Sequence, residues 1–188
     1  MKESSYVGPR SPENALLGLL YLHPDHGYQL YQRLVAELGE IWHLSQSQTY
    51  NILNRLEKQG FVIGKLQQQE TLPDRREFHL SDSGRLRFEE WLHNPSRCSV
   101  RAMRVEFISR LYFAHRIDSE MVWRITDEQK LQLNNGLDRL GQTMADTPSA
   151  QVFNRMGLEF RIRQLESALE WLEDCRAEFE TDTTGAIT

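Results

Sequence analysis

Residues 45–60, SQSQTYNILNRLEKQG, decide the fold of the first half of the chain. Tyr50, Leu53 and Leu56 recur three residues apart, as on the inward face of a helix. The remaining positions carry mostly amides and hydroxyls, which both donate and accept hydrogen bonds. Side chains of this kind suit the base edges in the major groove of DNA. The predicted outward set is Gln46, Ser47, Gln48, Thr49, Asn51, Asn54, Arg55 and Lys58.

Both ends of this helix carry capping residues. Ser45 can act as the N-cap, with Gln48 three residues later as the second half of a capping box. Gly60 lies where a left-handed residue commonly ends a helix. These two signals predict where the helix begins and ends.

Two helices are predicted before this segment. The stretches 13–22 and 27–38 have the apolar spacing of helices. Pro24 breaks the first of them, and Asp25 can cap the second.

A β-hairpin and a further helix are predicted after it. The stretches 61–66 and 76–80 read as strands on either side of a polar span. Ser81 or Asp82 can cap a helix that reaches about His93. The order helix, helix, polar-faced helix, hairpin, helix is that of a winged helix-turn-helix domain. In that fold the third helix enters the major groove, and the hairpin touches flanking phosphate or the minor groove.

The second half of the chain is predicted to be helical, over 101–115, 119–145 and 149–180. The sequence thus indicates a mostly α protein with a small β-hairpin wing, in which a winged helix-turn-helix domain precedes an all-α dimerisation domain. The predicted boundaries are a flexible tail at 1–12, the winged domain at 13–93, a linker at 94–100, the helical domain at 101–180 and a disordered tail at 181–188.

Apolar residues in the helical half recur at steps of four and three, the spacing of a coiled-coil seam. An ordinary intramolecular core is one interpretation. Contact between two copies is favoured because these helices are long and have no strands to pack against, and because one winged domain reads only a half-site. The predicted dimerisation residues are Met103, Phe107, Leu111, Leu158, Ile162, Leu165, Leu169 and Leu172.

The overall composition narrows the class of protein. A formal net charge of −5 means that any basic surface for nucleic acid must be local. Cys98 and Cys175 lack metal-ligand spacing and are expected to be reduced. The N-terminus does not read as a signal peptide, and no apolar run reaches the roughly 20 residues that span a bilayer, so a cytoplasmic protein is expected. No metal, cofactor or catalytic motif is evident, which disfavours an enzyme.

A set of residues in the first half follows one family pattern in order and spacing: Leu17, Gly18, Leu19, Leu20, His26, Gly27, Tyr28, Tyr50, Leu53, Arg55, Leu56, Gly60, Phe61, Val62, Arg75, Phe78, Leu80 and Gly84. This pattern resembles the PadR family of transcriptional regulators. Trp91 and Leu92, followed by Arg104 to Phe107, resemble the entry into the second domain of its larger size class. The resemblance covers about residues 14–180. Thr49 departs from it, since the family has an apolar residue there.

The resemblance implies a homodimer with intertwined C-terminal helices that binds a palindromic operator, usually to repress a nearby gene. Some relatives release DNA when they bind a small aromatic molecule. We expect base reading by Gln46, Ser47, Gln48, Asn51 and Arg55, with Asn54 on the same face. Phosphate contacts are expected from Tyr50, Lys58, Lys65, Arg75 and Arg76. The rival interpretation, which the acidic total charge favours slightly, is a winged helix that binds protein instead of DNA.

Overall fold

The structure is a computed structural model that describes residues 11–67 and 75–185. The described residues form two compact units. One comprises those up to Asn94 together with Ile108–Ile117, and the other comprises Pro95–Phe107 and those from Asp118 onward. The sequence placed 101–115 in the second domain, whereas the helix at 108–117 packs with the first unit. Of the predicted flexible tail at 1–12, residues 1–10 lie outside the described residues, as do the final residues 186–188, whereas Pro12 begins the first helix and Ser11 caps it.

The first unit contains helices α1 (Pro12–Leu22), α2 (Gly27–Leu38), α3 (Gln46–Lys58), α4 (Asp82–His93) and α6 (Ile108–Ile117), and strands β1 (Asp25–His26), β2 (Val62–Gln67) and β3 (Arg75–Leu80). The strands form one antiparallel sheet in the order β1-β3-β2. The helix order and the β2-β3 hairpin confirm the predicted winged helix. The two-residue strand β1 was not predicted, because nothing in so short a stretch has strand periodicity.

Helix α1 lies at the centre of this unit, and Leu16, Leu17 and Leu19 are fully buried. Gly18 is required there, since a Cβ at that position would come 2.4 Å from the ring of Phe113 on α6. Helix α6 also binds the rest of the unit through polar groups. Trp42 Nε1 donates a hydrogen bond to Ser109 Oγ at 2.9 Å, and the buried Arg110 donates from Nε to the Leu92 carbonyl at 2.9 Å.

The end of α3 and the start of α4 meet at the backbone of Gly60. This residue has a positive φ of 80° and ends α3 as predicted. The Phe61 amide donates to Leu56 O and the Gly60 amide to Glu57 O, each at 2.9 Å, which completes a Schellman motif. The Gly60 carbonyl accepts hydrogen bonds from the hydroxyls of Ser81 (2.7 Å) and Ser83 (2.9 Å). Both ends of the hairpin are therefore joined at one carbonyl.

The second unit contains the short helix α5 (Val100–Ala102), a π-helical segment (Met103–Phe107), and the long helices α7 (Ser119–Asp146) and α8 (Val152–Gly185). The segment before α5 is held to α7, where the Ser96 amide donates to Gln129 Oε1 at 2.8 Å and Gln129 Nε2 donates to Ser96 O at 3.1 Å. Helix α8 continues to Gly185, so residues 181–185, predicted to be disordered, are helical. None of the described helices is both long enough and apolar enough to cross a membrane.

Several predicted dimerisation residues are buried within the single chain. Met103 and Phe107 lie in the interior of the second unit, where the Phe107 ring makes an edge contact with Trp171. Leu111 is buried in the first unit, and Leu165 and Leu172 are buried in the second. These five side chains serve the cores of one chain, and their part in a dimer stays a prediction.

Candidate nucleic-acid interface

The outward face of α3 is polar and open to solvent. Its first turn is held by the predicted capping box: the Gln48 amide donates to Ser45 Oγ at 3.2 Å, and the Ser45 amide donates to Gln48 Oε1 at 2.8 Å. Five side chains on this face are exposed to solvent and can both donate and accept hydrogen bonds. They are Gln46, Ser47, Gln48, Asn51 and Asn54.

The inward face of α3 differs from the prediction at two positions. Thr49, expected outside, is fully buried, and its hydroxyl donates to Ser45 O at 3.1 Å. This bond to its own helix satisfies the hydroxyl at a buried position. Ile52 is also buried and fills the inward face with Leu53 and Leu56.

Tyr50 is half-buried and packs against the first residue of α2. A Cβ at Gly27 would lie 2.6 Å from the Tyr50 ring, so glycine is needed for this approach. The ring therefore fixes the position of α3 against α2. A phosphate contact from its hydroxyl stays a prediction.

Arg55 is held by a buried carboxylate on α1. Its Nε donates to Glu13 Oε1 at 2.6 Å, and the other oxygen of Glu13 accepts from Arg87 at 2.5 Å. Glu13 is fully buried, whereas the Arg55 side chain is 51% exposed. A buried carboxylate is tolerated when charged donors surround it. Arg55 therefore links α3 to α1. If Arg55 also contacts a guanine, it must do so with guanidinium N–H groups that do not donate to Glu13.

Arg76 on the wing is held by α3. Its guanidinium lies 2.5 Å from Glu57 Oε1, and the same oxygen accepts the Gly64 amide at 3.1 Å. Glu77, the acidic residue next to Arg76 in β3, pairs with His79 at 2.7 Å and not with Arg76. The residue that sequence reasoning missed is thus Glu57, because a partner nineteen positions away leaves no local signal.

The remaining predicted phosphate contacts are less constrained. Lys58 and Lys65 are exposed at the end of α3 and on β2. The backbone of Arg75 pairs with Gln67 in the hairpin, and its side chain lies outside the described residues. In the part of the chain that the structure describes, no group of His, Cys, Asp and Glu side chains could hold a metal ion.

Comparison with known proteins gives matches in both halves of the chain. The model of the "Transcriptional regulator PadR-like family" matches residues 16–90, and that of "Virulence activator alpha C-term" matches residues 103–180. The first match spans α1 to α4, the elements that build the polar face and the wing.

Individual proteins illustrate what the chain is similar to. The chain is 33% identical over 101 residues to the negative transcriptional regulator PadR of Bacillus subtilis, covering 53% of this chain and 54%, about half, of that regulator. It is 25% identical over 178 residues to the Mycobacterium tuberculosis protein named "Probable transcriptional regulator Rv1176c", covering 86% of this chain and 93% of that protein. A crystal structure of Bacillus subtilis PadR in complex with operator DNA is 26% identical, with a TM-score of 0.42, covering 89% of this chain and 98% of that one.

The matched family and the two named relatives are transcriptional regulators, which agrees with the expectation that the chain is not an enzyme. The first match lies within the first unit, whereas the second covers α7, most of α8 and also α6, which packs in the first unit. The chain thus carries, at residues 16–90, a domain of the PadR-like family of transcriptional regulators.

Proposed function

We propose that the chain is a cytoplasmic, sequence-specific repressor that binds double-stranded DNA as a homodimer on a palindromic operator. The observation that carries this proposal is the exposed row of amides and hydroxyls on α3, presented by a capped helix next to a β-hairpin. In a winged helix this surface is the one that enters the major groove. Two copies would place their α3 helices in successive grooves, about 34–36 Å apart.

The side chains on α3 are better suited to distinguishing one DNA sequence from another than to raising the affinity for DNA in general. In the major groove an amide side chain can donate to N7 of adenine and accept from its N6 amino group, a pair of contacts that distinguishes adenine from the other bases. Arg55 on α3 and Arg76, which is bound to α3, are each paired with a glutamate. Much of the electrostatic affinity would then come from Lys58, Lys65, the amide groups at the start of α3 and the second copy.

Release by a small aromatic effector is the regulatory part of the proposal, and it rests on the family resemblance. An effector that binds better to one spacing of the two winged domains would shift the population toward that spacing. If that spacing does not match successive major grooves, operator affinity falls.

The test begins with selection of bound sequences from a random DNA pool, followed by titration of the selected site and a scrambled site. We expect tight binding to the selected site at about 50 mM salt and a steep loss at about 200 mM salt. Asn51→Ala should reduce the preference for the selected site by roughly 1–3 kcal/mol if a bidentate base contact is lost. Gln142→Ala, an exposed amide on α7, is the matched control and should leave the preference unchanged.

A second candidate function is a protein-binding winged helix. The observations that favour it are the net charge of −5 and the pairing of both arginines with carboxylates. The same titration separates the two functions. Absence of DNA binding at the lower salt concentration, where phosphate contacts are strongest, would leave protein binding as the better interpretation.

A further inference from the structure

The Arg55 side chain lies on the same face of α3 as two of its exposed amides. Gln48, Asn51 and Arg55 follow one another at steps of three and four residues, which places them in one row along the helix. All three side chains are exposed. A cation therefore continues the row of amides that the proposed function assigns to base reading.

The guanidinium of Arg55 is held by Glu13 along one edge. Its Nε and Nη2 atoms lie 2.6 Å and 2.5 Å from the same oxygen, Glu13 Oε1. A guanidinium has five N–H donors, so this contact uses two of them and leaves three at the Nη1–Nη2 end. That end carries the parallel pair of donors that fits O6 and N7 of guanine.

Glu13 is itself fixed in position. It is fully buried on α1, and its second oxygen, Oε2, accepts a hydrogen bond from Arg87 Nη2 on α4 at 2.5 Å. The guanidinium of Arg87 lies over the ring of Phe61, 4.7 Å from the ring centroid. Each carboxylate oxygen thus binds its own arginine, so the carboxylate cannot rotate without breaking a charge-assisted hydrogen bond. Arg55 is therefore attached to a rigid partner.

We propose that Glu13 is a positioning residue for DNA recognition, which holds the Arg55 side chain so that its Nη1–Nη2 end meets a guanine in each half of the operator. The inference rests on the DNA binding proposed above and deepens it. It assigns a part in base preference to a fully buried residue on α1, which reaches the DNA only through Arg55.

The pairing suits Arg55 to base reading more than to binding a phosphate. An arginine that binds a phosphate contributes through its charge, which the Glu13 carboxylate offsets. A bidentate contact with guanine depends instead on orientation, and a side chain that is already fixed loses less conformational entropy when it binds. Glu13 therefore lowers the general attraction of Arg55 for DNA and raises its discrimination for one base.

The test measures the base preference at every position of the DNA site that the native chain selects, by competition with single-base substitutions. Arg55→Lys keeps the charge but loses the planar fork, so it should reduce the guanine preference at one position of each half-site by about 10-fold. Glu13→Gln should reduce the preference at the same position by about 3- to 10-fold and leave the other positions unchanged. Thermal melts give a temperature at which every variant is folded.

Two further variants separate positioning from stability. Leu16→Ala is the matched control, because it removes a fully buried side chain from the same helix without removing a charge. It should destabilise the chain and leave the base preference native at every position. Glu13→Asp keeps the charge but retracts the carboxylate by one methylene group, and it takes the place of Glu13→Gln if that variant does not fold.

Nitrogen-15 NMR of the Arg55 Nε–H group tests the geometry in the native chain. Its hydrogen should exchange slowly with water in the free chain and in the complex with the selected site, because it stays on Glu13 throughout. Rapid exchange in the complex, an unchanged guanine preference in Arg55→Lys, or a native preference in folded Glu13→Gln would overturn the inference and leave the proposed repressor standing.

A loss of preference spread equally over all positions in Glu13→Gln would also overturn the inference, since that result is expected of general damage to the fold. Failure of the native chain to bind any DNA at about 50 mM salt would overturn both the inference and the proposed function.

Discussion

Glu57 on α3 and Arg76 on β3 form an ion pair of 2.5 Å between the helix that presents the polar face and the wing beside it. Glu57 Oε1 also accepts the Gly64 amide of β2 at 3.1 Å, so one carboxylate contacts both strands of the hairpin. The pair positions the wing, and it also occupies an arginine that the sequence assigns to a DNA phosphate. DNA phosphate and Glu57 would compete for the same guanidinium.

Replacing Glu57 by glutamine tests this competition. The amide removes the ion pair, so we expect tighter binding to all DNA sequences and a log–log salt slope that steepens by about 0.9 for each additional phosphate that the protein neutralises. Arg76→Ala in the same background should return the slope to the native value. Glu37→Gln, an exposed acid on α2, controls for the change in net charge. Weaker binding by Glu57→Gln would mean that the pair is needed to hold the wing in its binding position.

Gln48 has two roles that substitution can separate. Its Oε1 closes the capping box, while its NH₂ group is the donor that would read a base. Gln48→Glu keeps an acceptor for the box but loses that donor, whereas Gln48→Ala loses both. Both variants should lose roughly 1–3 kcal/mol of preference for the selected site over a scrambled one. Only Gln48→Ala should also lower the denaturation midpoint, and an unchanged preference in both variants would remove Gln48 from base reading.

Glu13 should contribute strongly to stability. Glu13→Gln leaves two arginines without their shared carboxylate, and we expect a loss of about 2–3 kcal/mol in the free energy of unfolding, below the value for a fully buried pair because Arg55 is half exposed. Urea denaturation of the native chain and the variant measures this difference in the free energy of unfolding. Glu159→Gln breaks the exposed pair with Arg163 and should cost less than about 0.5 kcal/mol. Equal effects of the two substitutions would show that burial of Glu13 carries no special weight.

Gly60 should resist substitution because of its backbone conformation and not its surroundings. A Cβ there would meet no atom within 4 Å, but its φ of 80° lies in the left-handed region. Gly60→Ala should therefore lower the free energy of unfolding by about 1–2 kcal/mol. Gly141, within helix α7, also has open space around its Cβ position, and Gly141→Ala should stabilise the chain by about 0.5–1 kcal/mol. Thermal melts that move in the same direction would contradict this distinction.

Cys175 should react slowly with alkylating agents at neutral pH. Burial, followed by the nearby Asp174 and Glu178, raises the pKa of its thiol to about 11. At pH 8 only about one thiol in a thousand would be ionised, and the thiolate is the reactive form. The alkylation rate should rise with pH until about pH 11. A rate at pH 8 equal to that of glutathione would contradict the raised pKa.

The sequence predicted the elements whose signals are local. The capping box of Ser45 and Gln48 and the left-handed Gly60 each depend on residues within one or two helical turns, and both are present in the structure. The hairpin and the order of helices follow from changes in apolar period, which are also local.

Features that depend on partners distant in the chain could not be predicted from local sequence patterns. Glu13 and Arg55 are forty-two positions apart, so no local sequence pattern predicts that they pair. Thr49 looked polar and therefore outward, yet a hydrogen bond within its own helix makes burial inexpensive. Helix α6 was assigned by proximity in the chain, whereas the cavity beside Gly18 that accepts the Phe113 ring determines where it packs.

The hydroxyls of Ser81 and Ser83 both donate to the carbonyl of Gly60. The residue before the β2-β3 hairpin is therefore hydrogen-bonded directly to the residues that follow the hairpin. Insertions, deletions or substitutions in the hairpin would leave this hydrogen-bonded junction in place. Mutation could therefore alter the length and charge of the wing while α3 keeps its orientation. That separation would allow operator affinity to change independently of operator preference as a regulator of this kind diverges.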